Sequence, residues 1–152
     1  MPAIRKATRG DACRLAEIKI FNYRLNFYPY FRTDAYFFSE LNVSALMQAY
    51  RDMPERIEHT FVYDDGVVKG FVRINGAEIE KLFVEPAFQG QGIGGALLDH
   101  AIRHAGADWL LVLEKNEGAI RLYERHGFRL TEQRQRVDDT EEYLVKMERQ
   151  GS

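Results

Sequence analysis

A single cysteine, Cys13, stands in 152 residues. One thiol excludes an internal disulfide framework and any multi-cysteine metal site. No apolar run approaches the ~18 residues a membrane helix needs, so no span is expected. Met1 to Lys6 has no long apolar stretch behind it and does not read as a secretory signal, so a cytoplasmic protein is expected. Charge of one sign is also missing. Twenty-one Lys and Arg against 23 Asp and Glu give −2, which argues against nucleic-acid binding through bulk charge. Prolines number only four and are scattered, and no repeat or Pro/Gly/Ser linker divides the chain. One soluble globular domain is the expectation, with 45% hydrophobic and 29% charged residues.

What is present changes period along the chain. Ala3 to Ala7 reads as a short strand. Asp11 is the expected N-cap of a helix running to about Asn26, with Leu15, Ala16 and Ile18 on its apolar face. Ser39 to Met53 carries a second helical pattern. Thr60 to Tyr63, Val67 to Ile74 and Ala77 to Val84 then read as strands. Asp65-Gly66 and Asn75-Gly76 lie between them, as tight hairpin turns require, so the three form an antiparallel meander. A helix over Gly90 to Ala105, a strand at Trp109 to Leu113 and a helix from about Glu117 to His126 follow. Phe128 to Val137 and Tyr143 to Met147 read as a closing hairpin. One strand–helix–strand crossover makes its two strands parallel. The fold class is therefore mixed α/β.

The stretch Leu82-Phe83-Val84-Glu85-Pro86-Ala87-Phe88-Gln89-Gly90-Gln91-Gly92-Ile93-Gly94-Gly95 is the most informative. An apolar strand is ended by a proline, then a glycine-rich turn opens a helix. Glycines at 90, 92, 94 and 95 remove side chains where a ligand must meet backbone N–H groups at a helix N-terminus. Phosphate is the ligand that fits, a pyrophosphate best of all; a tight packing turn is the plainer alternative. No Lys-Ser or Lys-Thr follows, so this is not an ATP-type loop. Gly90-x-Gly92-x-x-Gly95 does match the dinucleotide fingerprint, and Glu114 lies about 20 residues on, where a ribose-binding acid belongs. A small dinucleotide-binding redox domain is thus one alternative. It needs two three-strand halves, and too few residues follow Glu114 to build the second.

Gln89-Gly90-Gln91-Gly92-Ile93-Gly94 also reads as Gln-x-x-Gly-x-Gly. Asn116-Glu117-Gly118-Ala119-Ile120-Arg121-Leu122-Tyr123-Glu124-Arg125-His126-Gly127-Phe128 reads as Asn-x-x-Ala-x-x-x-Tyr-x-x-x-Gly-Phe. With the element order and the opening strand before Asp11, the chain resembles the GNAT superfamily of acyl-CoA N-acyltransferases over essentially its whole length. The likeness is weakest between Asn22 and Arg56.

That resemblance implies a single acyltransferase domain over residues 1–152. It implies a central sheet of about seven strands with splayed parallel strands, flanked by about four helices. Acetyl-CoA is the implied co-substrate, with no metal, and the acetyl group passes directly to a primary amine in a ternary complex. The CoA diphosphate would sit on the N–H groups of Gln89, Gly90, Gln91, Gly92, Ile93 and Gly94, extending to Gly95. The pantetheine arm would pair with Leu82, Phe83 and Val84 as an added strand. The Val84 N–H would stabilise the thioester oxygen, and Asn116 and Ala119 would border the arm.

The amine must be neutral to attack, and a lysine amine has a pKa near 10.4, so a base helps. Glu78 and Glu80 are the candidates; regular alternation puts both on one face with Leu82 and Val84. Tyr123 is the candidate general acid for the thiolate leaving group. It follows Asn116 by seven residues, two helical turns, so both can face one groove. A non-catalytic acyl-CoA sensor on the same fold is the other alternative.

Four weaker signals complete the sequence. Asn22 to Phe38 is densely aromatic, and Tyr28, Tyr30 and Phe31 are the residues helical periodicity explains least, so they are assigned to an acceptor pocket or lid. His100 and His104 stand at metal-ligand spacing but read as border residues of the helix. Cys13 reads as a packing residue. Arg129, Arg134 and Arg136 against Asp138, Asp139, Glu141 and Glu142 read as a cross-strand charged hairpin. The partners expected are acetyl-CoA and an amine, with no nucleic acid or membrane and with a homodimer as an open option.

Overall fold

The computed structural model describes residues 3–150. Its seven-stranded sheet has the order β1-β2-β3-β4-β5-β7-β6. In chain order β1 is Ile4–Lys6, followed by helices α1 (Ala12–Asn26), α2 (Tyr28–Phe31), α3 (Val43–Asp52) and α4 (Glu55–Glu58). Strands β2 (Thr60–Asp64), β3 (Val68–Asn75) and β4 (Glu78–Val84) form the meander. Helix α5 (Ile93–Ala105), β5 (Trp109–Leu113), α6 (Glu117–Arg125), β6 (Phe128–Arg136) and β7 (Tyr143–Arg149) complete the chain. The closing hairpin adds its second strand first: β7 pairs with β5, leaving β6 at the edge.

Two cores sandwich the sheet. On one face α5 and α6 bury Leu97, Leu98, Ala101 and Tyr123 against Val72, Ile79, Leu110 and Met147. On the other, α1 and α3 bury Leu15, Ile18 and Tyr50 against Val62 and Phe71. A third cluster joins Ile20, Phe37 and Leu41 to Tyr28 and Phe31. Much of the aromatic segment is therefore packing within α1, α2 and the π-type turn Tyr36–Glu40 that follows.

The feature that shapes the molecule is the separation of β4 from β5. The two strands pair in parallel only at Glu78–Trp109 and Ile79–Leu110. Beyond Ile79 they diverge, leaving the edge of β4 from residue 80 to 84 without a strand neighbour. The expected splayed pair is present.

Several boundaries differ from the sequence expectation for identifiable reasons. Helix α3 begins at Val43 rather than Ser39, because the Asn42 side chain accepts the Ala45 N–H at 2.8 Å and caps it. Helix α5 begins at Ile93 rather than Gly90, since Gly90 and Gly92 hold φ of 83° and 82°, outside the helical region. Cys13 is exposed, not packed. Asp11 does not cap α1. Its carboxylate turns back to accept the Thr8 N–H at 2.7 Å and pairs with Arg5 at 2.8 Å.

The buried Asp11 ties β1 to the start of α1, and the Arg5 guanidinium holds its pKa below the ordinary carboxylate value. Asp11→Ala is expected to destabilise the fold by about 1–2 kcal/mol at pH 7, a figure discounted for the exposure of Arg5. A depressed carboxylate pKa contributes stability above the unfolded value near 3.9 and loses it as pH falls through the folded value. Urea unfolding should therefore show the gap between wild type and variant closing below about pH 4.

Candidate active site

The divergence of β4 and β5 opens a cleft of about 800 Å³ through the sheet. One mouth lies on the α5–α6 side, bounded by the glycine turn, Asn116, Ala119 and Tyr123. The other lies on the α1–α2 side, bounded by Asn22, Tyr23, Asn26, Phe27 and Phe31. A ligand threaded through it meets chemistry from both layers.

The glycine turn forms the first mouth. Pro86–Phe88 makes one 3₁₀ turn, and Gly90 and Gly92 then take left-handed backbone that β-carbon-bearing residues adopt at a penalty. Gly92 is the N-cap of α5, so the unpaired first-turn N–H groups face the cleft with the positive end of the helix dipole. A Cβ on Gly94 would make ordinary contact, 3.4 Å from Leu122 and 3.6 Å from Val84, whereas one on Gly95 would crowd the His126 ring at 3.2 Å. The Gln89 side chain fixes the turn by donating to the Val84 carbonyl at 3.3 Å. Leu82, Phe83, Val84, Gln89, Gly90, Gly92, Ile93, Gly94 and Gly95 all border the cleft. Gln91 is exposed and does not.

Along β4, backbone direction alternates. The Glu85 N–H donates to the Lys69 carbonyl on β3 at 2.8 Å, so the preceding Val84 N–H points the other way, toward the gap. The Val84 carbonyl points there too and accepts from Asn22 Nδ2 at 2.9 Å. Asn22 is 2% exposed, and its amide also donates to the Ile18 carbonyl at 2.9 Å. It joins α1 to the end of β4. Its position in the site was not legible in the sequence, because nothing local distinguishes it from a surface residue of α1.

The two glutamates require a correction. Arg73 of β3 faces Lys81 while the next residue, Ile74, faces Ile79, so Glu80 is an extra residue in β4. This bulge reverses the side-chain alternation. Ile79, Leu82 and Val84 pack into the α5–α6 core, whereas Glu80, Lys81 and Phe83 turn to the α1 side with Arg73 and Phe71. Glu78 and Glu80 therefore do not share a face with Leu82 and Val84; they border the opposite mouth. Glu80 accepts from Arg73 Nε at 2.7 Å, and Arg73 is buried. Glu78 has no such partner among the described residues. Burial, then the Glu80 charge, raises its pKa above the ordinary glutamate value.

Tyr123 lies on α6, whose N-cap is Asn116: the Asn116 side chain accepts the Ala119 N–H at 3.2 Å. Both residues border the cleft on the α5–α6 side. Tyr123 is 8% exposed, and burial alone pushes its phenol up to about 12.

Of the three aromatic pocket residues expected, only Phe31 borders the cleft. Tyr28 instead bonds Asp34 through its hydroxyl at 2.5 Å and packs edge-on to Phe37. Tyr30 is 41% exposed and lies 5.4 Å from the Lys115 ammonium. Tyr23 and Phe27, two turns and one turn before Phe31, border the cleft on this side, where Tyr28 and Tyr30 do not. His100 and His104 stack on each other, and His100 tilts against Phe61, away from the cleft; no group of three or more metal-type side chains occurs among the described residues. Glu114 pairs with Arg134 at 2.8 Å, and Glu142 with Lys115 at 3.1 Å. The charged closing hairpin is thus bonded to the β5–α6 turn rather than across itself.

Comparison with known proteins agrees with this geometry. Residues 56–130 match the Acetyltransferase (GNAT) domain family. The chain is 36% identical over 87 residues to the peptidyl-lysine N-acetyltransferase YjaB of Salmonella typhimurium, covering 57% of this chain and 59% of that protein. The match thus spans little more than half of that relative's length. The solution structure of apo-form YjaB from Escherichia coli superposes with a TM-score of 0.70 at 25% identity, over 98% of this chain and 97% of that one. The PaiA N-acetyltransferase from Thermoplasma acidophilum, crystallised in complex with coenzyme A, shares the fold with a TM-score of 0.67 at 17% identity, over 95% and 97% of the two chains. A single parallel pair excludes the two-half dinucleotide architecture. Residues 56–130 thus carry the GNAT acetyltransferase domain, within a chain that has the fold of those enzymes throughout.

Proposed function

We propose that this chain transfers an acetyl group from acetyl-CoA to a primary amine by direct attack within the cleft. The observation that carries the proposal is the coincidence of an unpaired strand edge, an inward Val84 N–H and an open helix N-terminus around one channel. Solved GNAT relatives bound to CoA or acetyl-CoA support the co-substrate.

In this assignment the diphosphate binds the N–H groups of the glycine turn, and the pantetheine arm pairs with the free edge of β4. The Val84 N–H meets the thioester oxygen as it gains charge. The amine enters from the α1–α2 mouth, and Glu78 takes its proton. Its raised pKa brings it closer to the working pH, as a general base requires. Glu80, held by Arg73, positions the bulge instead. Tyr123 serves as a donor to the departing sulfur. A phenol at about 12 does not hand its proton fully to a thiolate whose own pKa is about 8.5; it donates a hydrogen bond while the charge develops.

The test is release of free CoA thiol with a panel of amines, paired with mass detection of the acetylated amine. Amine-dependent thiol release and an acetylated product are expected. Tight acetyl-CoA binding with no transfer to any amine would favour the non-catalytic sensor.

The glycine turn gives a separate prediction. No atom lies within 4 Å of a Cβ built on Gly92, so Gly92→Ala acts through its left-handed backbone alone. A strain of about 1–2 kcal/mol predicts roughly 5- to 30-fold weaker acetyl-CoA binding if the turn shifts to relieve it. Calorimetric titration of the folded variant measures this.

A further inference from the structure

The α1–α2 mouth has an excess of positive charge that acetyl transfer alone does not require. Lys81 borders the cleft and donates to the Tyr23 hydroxyl at 2.8 Å. The Lys19 ammonium lies 5.1 Å from the centre of the same ring, and that of Lys81 lies 5.5 Å from it. Tyr23 is thus flanked by two ammonium groups, and it forms part of the cleft wall. Neither lysine has a carboxylate within 4.0 Å among the described residues. Glu80, whose charge is felt at Lys19, is engaged by Arg73 at 2.7 Å, and Arg56 adds to the positive field at Lys19. Burial, then Lys81, Arg73 and Arg56, lower the Lys19 pKa to about 8. A cation destabilised by other cations is stabilised when an anion arrives.

We propose that Lys81 and Lys19 bind a carboxylate carried by the acceptor, so that the enzyme acetylates amines bearing a carboxylate in preference to their uncharged counterparts. The inference deepens the acetyltransfer assignment and rests on it. Charge complementarity orients the acceptor: its carboxylate meets the lysine pair while its amine is left to Glu78, which makes no ion pair among the described residues although the Lys81 charge reaches it. An acceptor whose surroundings are basic meets like charge there, which lowers its affinity.

The experiment uses matched pairs. Glycine, β-alanine and 4-aminobutyrate are each compared with the corresponding amide, and a peptide with lysine beside glutamate is compared with its glutamine counterpart. Binding to the CoA-saturated protein is measured by calorimetry, and kcat/KM by thiol release. In at least one series the carboxylate is preferred by about 10-fold or more, the scale of a charge-assisted hydrogen bond; which series responds tells whether the carboxylate belongs to a free amino acid or to a peptide. Lys81→Met and Lys19→Met bring that ratio toward one, whereas Lys81→Arg retains it. Equal or weaker binding of the carboxylate in every pair, or a preference that Lys81→Met leaves intact, overturns the inference. Failure of acetyltransfer itself is distinguishable: every amine, charged or not, would then go unacetylated while the carboxylate preference persisted in binding.

Discussion

Replacing Tyr123 by phenylalanine is expected to lower kcat by roughly 10- to 100-fold while acetyl-CoA still binds within about 2-fold. The hydroxyl is the only group lost. The ring stays in the core formed with Phe128, whose ring centre is 6.0 Å away, so the fold is retained. Because burial pushes the phenol up to about 12, its proton remains in place across the working range. The wild-type enzyme should then show no falling limb from Tyr123 below about pH 10. A variant with full kcat, where chemistry limits the rate, would remove Tyr123 from the reaction and leave it a packing residue.

The second large effect belongs to Glu78. Glu78→Gln is expected to lower kcat/KM by about 100-fold, the lower range of general-base catalysis. It should also abolish the acid limb of the pH profile. The sign follows from the raised pKa of Glu78: the carboxylate is active above that value and inactive below it. The wild-type rate therefore falls with acid at a pH above the ordinary glutamate value. Glu80→Gln should behave differently. It leaves the buried Arg73 guanidinium with a weaker partner, so stability falls and the acid limb remains. A variant of Glu80 that alone removed the limb would reverse the two roles.

The contrast between these glutamates shows where sequence reasoning reaches its limit. Both lie in one short strand, and regular alternation gives them the same face as Leu82 and Val84. A bulge at Glu80 breaks that alternation, and its position depends on pairing with β3, which no local pattern reports. Other parts were legible because they are local. The glycine turn needs positive φ at Gly90 and Gly92, and proline and glycine mark it in the sequence. The Asn116 cap and Tyr123 lie on one short helix, so their spacing fixes their common face. Strand β5 was legible to the residue, as a compact apolar run. The α1–α2 mouth was not, because its wall comes from α1 residues far from β4 in sequence. Asn22 reaches Val84, and Tyr23 meets Lys81, only once α1 packs on the sheet. Tyr28 and Tyr30 lack helical periodicity for another reason: α2 is a single turn held by Asp34, Phe37 and Lys115.

The central claim is that the gap between β4 and β5 is an acyl-CoA channel. Calorimetric titration of the full chain with acetyl-CoA, beside NAD and NADP, tests it most directly. Saturable binding of acetyl-CoA alone at one site per chain, weakened in Gly92→Ala, is the predicted result. Binding of a nicotinamide dinucleotide instead, or of none of the three by the folded protein, would contradict it.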